Sequence, residues 1–241
     1  MTESPARSTK CWGVIPAAGT GSRMASDIPK QYLPLAGATV LEHSLAALLN
    51  CDLIESVVVA LSPDDEHAAA ISGLHNARVL MVEGGRQRSD SVLAGLKALE
   101  HLAAPGDWVL VHDAARPCVS QQDISSLVRA VIDENVGGIL AAPVVDTVKR
   151  AGGDNRVRET LPRERLWRAQ TPQMFRLGSL RSALENAKLN GYDVTDEASA
   201  MELAGESVQL ITGASSNLKI TQPQDLSLAE FYLSQYRSGS Q

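Results

Sequence analysis

The stretch VIPAAGTGSRMASDIPKQY, residues 14–32, runs from an apolar segment into glycines and then sets Arg23 and Lys30 around a loop. An apolar run that breaks into a glycine turn reads as a strand ending where backbone N–H groups can approach an anion closely. Neither common phosphate fingerprint fits. A dinucleotide motif needs a third glycine where Met24 follows Gly19 and Gly21, and a P-loop needs a lysine at an offset that lacks one. What remains is a glycine turn with Arg23 as a fork for phosphate oxygens and Lys30 as a point charge. The plain alternative is an ordinary strand-to-helix turn with two solvated cations.

Outward from this turn, strand-like and helix-like segments alternate. WGVIPA, SVVVALS, ARVLMV, DWVLVHD and GILAAPV are apolar runs rich in valine and isoleucine and predict buried strands. Between them VLEHSLAALLN, PDDEHAAAIS, RSDSVLAGLKALEH and DISSLVRAVIDEN repeat apolar residues at helical spacing. This order predicts an α/β fold, a mostly parallel sheet with helices on both faces, with ligands at the carboxyl ends of the strands. Farther on, LGSLRSALENAKLN, TDEASAMELAG and QDLSLAEFYLSQY predict helices, and VQLIT and NLKIT predict strands. The 241 residues, 44% of them apolar, suffice for one large domain.

With 22 basic and 28 acidic residues the formal charge is −6, so a non-specific hold on nucleic acid is excluded and any phosphate site must gather its cations locally. Cys11, Cys51 and Cys118 stand far apart, without CxxC or metal-ligand spacing, as expected of buried thiols in a reducing cytoplasm. The first ten residues carry no apolar signal core, and no run approaches the roughly 18 apolar residues that span a bilayer. A soluble cytoplasmic chain is expected, with no membrane partner.

Two further strand ends carry charge. GGRQRSDSV, residues 84–92, offers glycines, Arg86, Arg88 and a helix cap at Ser89 or Asp90. VHDAARP, residues 111–117, presents Asp113, suited to a metal ion or a ribose hydroxyl, and Arg116, suited to an anion. Each alone reads equally as a turn; three such ends together point to a triphosphate or sugar-phosphate pocket. Residues 146–166, DTVKRAGGDNRVRETLPRERL, break the alternation with a Gly-Gly-Asp-Asn turn between weakly alternating flanks. They predict a hairpin arm, and an isolated hairpin this polar needs something to pack on, a second copy of the chain being the economical choice.

The segments AAGTGSRMASDIPKQY, GGRQRSDSV, HDAARP, TPQMF, TDEAS and NLKIT, in that order, resemble the 2-C-methyl-D-erythritol 4-phosphate cytidylyltransferase family of non-mevalonate isoprenoid biosynthesis. The likeness runs from Trp12 to the closing helix. It implies a single Rossmann-like nucleotidyltransferase domain of the nucleotide-diphospho-sugar transferase type over residues 1–241, a homodimer completed by the protruding 146–166 β-arm, and a divalent ion, normally Mg²⁺. It assigns CTP to Ala17, Ala18, Gly19, Gly21 and the Gly85-to-Ser91 loop with Arg88, with Asp113 adjoining and Arg23 and Lys30 on the phosphates. It assigns methylerythritol phosphate to Asp113, Arg116, Thr147, Arg163, Thr171, Thr195 and Lys219, with Thr147 and Arg163 reaching in from the partner. Arg23, Lys30, Arg163 and Lys219 are the implied catalytic set, and Mg²⁺ is held mainly by CTP phosphates with Asp113 as a further ligand. Arg86 stands where the family often has an acidic or otherwise different residue.

Transfer of a nucleotidyl group to a phosphate needs positioning and charge neutralisation more than a base, because a phosphate dianion is already a nucleophile. None of the five histidines is therefore required, and His112 reads as structural. In TDEAS, Thr195 or Asp196 reads as a helix cap and the acids as dipole-favoured first-turn residues rather than a metal cluster. Lys219 alone would read as an outward lysine, and Trp12, Trp108 and Trp167 as core or interface residues. A cytidylyltransferase for ribitol 5-phosphate or another polyol phosphate, and a non-catalytic nucleotide-binding regulator, are the alternative readings; a nicotinamide oxidoreductase lacks its third glycine.

Overall fold

The computed structural model describes residues 10–19 and 28–238, the last two by backbone alone. In chain order the elements are β1 (Cys11–Pro16), β2 (Pro34–Leu35), β3 (Ala38–Thr39), α1 (Val40–Leu49), β4 (Ile54–Leu61), β5 (Val79–Glu83), α2 (Arg88–Leu99), β6 (Trp108–Val111), α3 (Gln121–Glu134), β7 (Gly138–Pro143), β8 (Val148–Ala151), β9 (Val157–Leu161), β10 (Trp167–Arg176), α4 (Leu177–Leu189), α5 (Glu197–Leu203), β11 (Gln209–Thr212) and α6 (Gln224–Ser238).

Among the described residues seven strands form one sheet in the order β11-β7-β10-β6-β1-β4-β5. Every neighbouring pair is parallel except those of β10, which runs antiparallel between β6 and β7. The central strands read as continuous apolar runs because both faces are covered. In β1, Cys11 and Ile15 enter the core shared with α1 and α3, while Trp12 and Val14 enter the core shared with α2, α4 and α5. Close approach sets one glycine: a Cβ on Gly95 of α2 would lie 2.7 Å from Val14 Cγ1. Helices α1 and α3 are closed by side-chain caps. Thr39 and Glu42 form a reciprocal capping box at α1, and Ser120 Oγ accepts the Asp123 N–H at α3.

Three expectations are corrected. PDDEHAAAIS forms two short 3-10 turns, Ala68–Ala70 and Ser72–His75, instead of an α-helix. Asp65 Oδ1 takes the N–H groups of His67 and Ala68, both at 2.9 Å, so a side chain satisfies backbone that a helix would have used. NLKIT takes no regular secondary structure; its backbone is served by loops and cations, described below. Conversely β10, central to the sheet, went unread, because Pro172 interrupts it and the pairing with β7 shifts register between Ala169 and Gln173.

The arm is present as expected. β8 and β9 pair antiparallel around Gly152–Asn155, with Asn155 in the left-handed region at φ 57°, and form a sheet of their own. Val145 and Val157 beside it are 71% and 62% exposed. Trp12 and Trp108 are core residues, whereas Trp167, where the arm returns to the sheet, is 37% exposed. All three cysteines are buried and free, with the Cys11 and Cys118 thiols pushed up to about 12 by burial. No helix among the described residues is long and apolar enough to cross a membrane.

Candidate active site

The carboxyl ends of β1, β5 and β6 converge on one cavity of about 280 Å³. The glycine turn after β1 is held by Gln31, whose Nε2 donates to Ala17 O at 2.8 Å and Gly19 O at 2.9 Å. The loop after β5 presses against it so closely that a Cβ on Gly84 would stand 2.7 Å from Ala18 Cβ. Ser91 Oγ accepts the Gly85 N–H at 3.1 Å, shaping that loop from the first turn of α2. The cap of α2 is Gln87, not Ser89 or Asp90. Asp90 accepts the Gln87 N–H instead and pairs with Lys188 Nζ at 2.6 Å.

Asp113, just past β6, is the one acid on the cavity wall among the described residues, and three cations converge on it. Arg88 Nε donates to Oδ1 at 2.9 Å, Lys219 Nζ lies 2.9 Å from Oδ2, and Arg116 Nε lies 3.5 Å from the same oxygen. The Arg116 contact is an ion pair too long to be a good hydrogen bond. Burial alone would raise the Asp113 carboxyl; Arg88, Lys219 and Arg116 outweigh it and hold the group well below the usual carboxylate range. Arg88 turns its terminal nitrogens to Glu197, which is 1% exposed.

β10 supports this cluster from beneath. Thr171 Oγ1 accepts the Asp113 N–H at 3.0 Å and lies 3.0 Å from His112 Nδ1, while His112 Nε2 lies 3.0 Å from Arg116 O. Since a carbonyl can only accept, His112 carries its proton on Nε2 and receives the Thr171 hydroxyl on Nδ1. Burial lowers the His112 pKa to about 4, so the ring is neutral, in keeping with a structural role. The 217–221 segment is tied in by Arg116 NH1 to Asn217 O at 2.7 Å, by Ile220 N–H to Ala115 O at 2.8 Å, and by Lys30 Nζ to Ile220 O at 3.0 Å. These bonds replace the sheet partner that a strand there would have needed.

Of the residues singled out in the sequence, Ala17, Ala18, Gly19, Lys30, Gly85, Arg86, Arg88, Ser91, Asp113 and Lys219 line the cavity. Arg116 and Thr171 join it through Asp113. Gly21 and Arg23 lie outside the described residues. Thr147, Arg163 and Thr195 are exposed and are not among the cavity lining of this chain. Arg163 donates to Val145 O at the base of the arm, and Asp196, not Thr195, caps α5. Glu197 and Gln173 went unread as site residues. An acid in the first turn of a helix is common, and its burial against Arg88 is visible only in the fold.

Fold and cavity together define a class, an α/β enzyme of nucleotidyltransferase type. The family model for IspD, 2-C-methyl-D-erythritol 4-phosphate cytidylyltransferase, matches residues 11–235, and the chain belongs to this family. A protein of that name from Pseudomonas syringae pv. tomato is 52% identical over 219 residues, covering 89% of this chain and 92% of its own. A crystal structure of 4-diphosphocytidyl-2C-methyl-D-erythritol synthase superposes with a TM-score of 0.81 at 38% identity, covering 93% of this chain and 99% of that one. The Francisella tularensis 2-C-methyl-D-erythritol 4-phosphate cytidylyltransferase superposes at 0.79 with 35% identity, covering 93% and 100%.

Proposed function

We propose that this chain transfers CMP from CTP to 2-C-methyl-D-erythritol 4-phosphate, releasing pyrophosphate. The observation that carries the reading is the cavity itself, lined by Lys30, Arg88 and Lys219 together with one buried aspartate, at the strand ends of a fold shared with the family. An oxygen of the acceptor phosphate attacks the α-phosphorus of CTP in line, and the bond to the bridging oxygen of pyrophosphate breaks. Two anions have to meet, so the residues must cancel repulsion and hold geometry. Main-chain groups of Ala17 to Gly19 and of the Gly85-to-Ser91 loop cradle the nucleotide. Lys30, with Arg23, neutralises charge on the phosphates. Arg116 and Lys219 serve the acceptor phosphate, Thr171 holds the backbone of Asp113 in place, and Thr195 stands outside the cavity of this chain.

No cluster of three or more His, Cys, Asp or Glu side chains able to hold a metal exists among the described residues. Both Asp113 oxygens are engaged by Arg88, Lys219 and Arg116, so Mg²⁺ would be held mainly by substrate phosphates and would take Asp113 only by displacing one of these cations. Such an ion would arrive with CTP and offset its negative charge. The position of Thr147 and Arg163 away from the cavity supports their service in a second copy, and the exposed apolar residues around the arm support a homodimer. Buried free cysteines are in keeping with work in the cytoplasm.

The test is pyrophosphate release with CTP and Mg²⁺, offering methylerythritol 4-phosphate and ribitol 5-phosphate in parallel. Activity confined to the first is expected. Activity confined to the second overturns the acceptor, and CTP binding without turnover on either indicates a regulator.

A further inference from the structure

Glu197 is a buried acid that the reaction as described does not use. It opens α5, but the cap of that helix is already made by Asp196, whose Oδ1 accepts the Ser199 N–H at 2.9 Å. The Ala198 N–H goes to Gln173 Oε1 at 2.9 Å, and Gln173 Nε2 donates to Asp196 Oδ2 at 2.9 Å. Gln173, on β10 and 1% exposed, therefore holds both neighbours of Glu197, the Asp196 carboxylate on one side and the Ala198 backbone on the other. The first turn is satisfied without the Glu197 carboxylate, which leaves its two oxygens for Arg88.

Those oxygens take the two ends of the guanidinium, Oε1 from NH1 at 2.6 Å and Oε2 from NH2 at 2.9 Å. Nε, the remaining nitrogen, donates to Asp113 Oδ1 at 2.9 Å. Two acids thus fix the plane of Arg88 as well as its position, the geometry in which an arginine fork is most specific. Arg88 still lines the cavity, its side chain 28% exposed. An acid as buried as Glu197 is tolerated only with such a partner, and apolar residues would fill the same space if stability were its only task. The chain of contacts runs from Glu197 to Arg88, to Asp113, and ends on Lys219, while Gln173 holds the two residues that flank Glu197.

We propose that Glu197 is a positioning residue for the nucleotide site: it locks the Arg88 guanidinium against Asp113 and so keeps the cation cluster aimed at the nucleotide. This rests on the function proposed above for the identity of that nucleotide. Without the Glu197 charge, Arg88 retains Asp113 as its one acidic partner among those described, and Asp113 is already shared with Arg116 and Lys219.

The experiment is a double-mutant cycle of Glu197→Gln, Arg88→Ala and the pair. CTP binding with Mg²⁺ is measured by calorimetry, kcat/KM for CTP by pyrophosphate release, and folding by circular dichroism. Glu197→Gln should weaken CTP binding and lower kcat/KM by about 10- to 100-fold, the scale on which outer partners of a ligating side chain act. The double variant should match Arg88→Ala within about twofold, because Glu197 acts only through Arg88. A Gln variant that binds CTP as wild type does, or losses that multiply in the double variant, would overturn the proposal. Should Glu197→Gln not fold, Glu197→Asp keeps the charge but is too short to span both nitrogens. A loss of CTP affinity in that variant supports positioning, and unchanged affinity overturns it. A wild-type chain that binds CTP but does not charge methylerythritol phosphate defeats the proposed acceptor and leaves the binding cycle to decide Glu197. One that binds no CTP defeats both.

Discussion

Lys219 Nζ stands 2.9 Å from Asp113 Oδ2, on a carboxylate whose other oxygen already accepts from Arg88. The aspartate gathers a lysine and two arginines from three separate parts of the chain, at 2.9 to 3.5 Å. We predict that Asp113→Asn, close in shape but uncharged, lowers kcat/KM at least about 100-fold, comparable with loss of one preorganised donor. Steady-state pyrophosphate release measures it. A folded variant within tenfold of wild type would remove Asp113 from its organising role.

Lys30 Nζ reaches Ile220 O at 3.0 Å, bridging the turn after β1 to the segment that carries Lys219. If it serves the CTP phosphates as proposed, its loss removes a positive charge from the cavity wall. We predict that Lys30→Ala slows kcat by roughly 10²- to 10³-fold, about 2.7–4 kcal/mol, with Arg23→Ala in the same range. Near-normal kcat in either variant, with an intact circular dichroism spectrum, would contradict its assignment.

β1, β4 and β6 are legible in the sequence because both of their faces are buried, and Val57, Val58 and Val59 leave no polar residue to blur the run. β10 is not legible, for the opposite reason. Gln170, Thr171 and Gln173 are buried polar residues whose partners lie on other elements, so their pattern reads as a loop until those partners are known. The same division runs through the site. Cations and an aspartate just beyond apolar strands stand out locally. Glu197 does not, because Arg88, which explains its burial, is 109 residues away. Lys219 drew attention only through the family likeness, since its segment borrows its hydrogen bonds from Arg116, Ala115 and Lys30 instead of a strand.

His112 is fully buried and its pKa falls from 6.5 to about 4, chiefly through burial. A lowered folded-state value means the unfolded chain binds the proton more readily. The stability this neutral ring contributes is therefore complete above about pH 6.5 and is lost as pH drops towards 4. At about 1.4 kcal/mol per pH unit the total is on the order of 3 kcal/mol. We predict a urea midpoint that declines between pH 7 and pH 5, and a His112 ring that NMR finds neutral at pH 5. A charged ring at pH 5 would refute the account.

Gly95 allows α2 to lie on β1, since an added Cβ would meet Val14 Cγ1 at 2.7 Å. We predict that Gly95→Ala costs about 1–3 kcal/mol by overpacking, despite the better helix propensity of alanine. In a chain of 241 residues that amounts to a fall in Tm of several degrees, at about 2–4 °C per kcal/mol. A calorimetric Tm at or above wild type would show that the helix can shift without cost.

The arm makes the last prediction. Among the described residues β8 and β9 pair only with each other, and a two-stranded hairpin is marginal in water unless it packs on something. Arg150 and Glu159 pair across the strands at 2.9 Å, but both are exposed, and such a pair contributes well under about 1 kcal/mol. Val145, Val157 and Trp167 leave apolar surface around it uncovered. Replacing residues 148–161 with a short glycine-serine linker should therefore leave the main sheet folded and produce a monomer by analytical ultracentrifugation. If Thr147 and Arg163 serve the partner's acceptor site, the same variant should bind CTP nearly as wild type while losing most of its turnover on methylerythritol 4-phosphate. A dimer that survives the deletion would move the interface elsewhere. Full turnover by a monomer would show that each chain completes its own site.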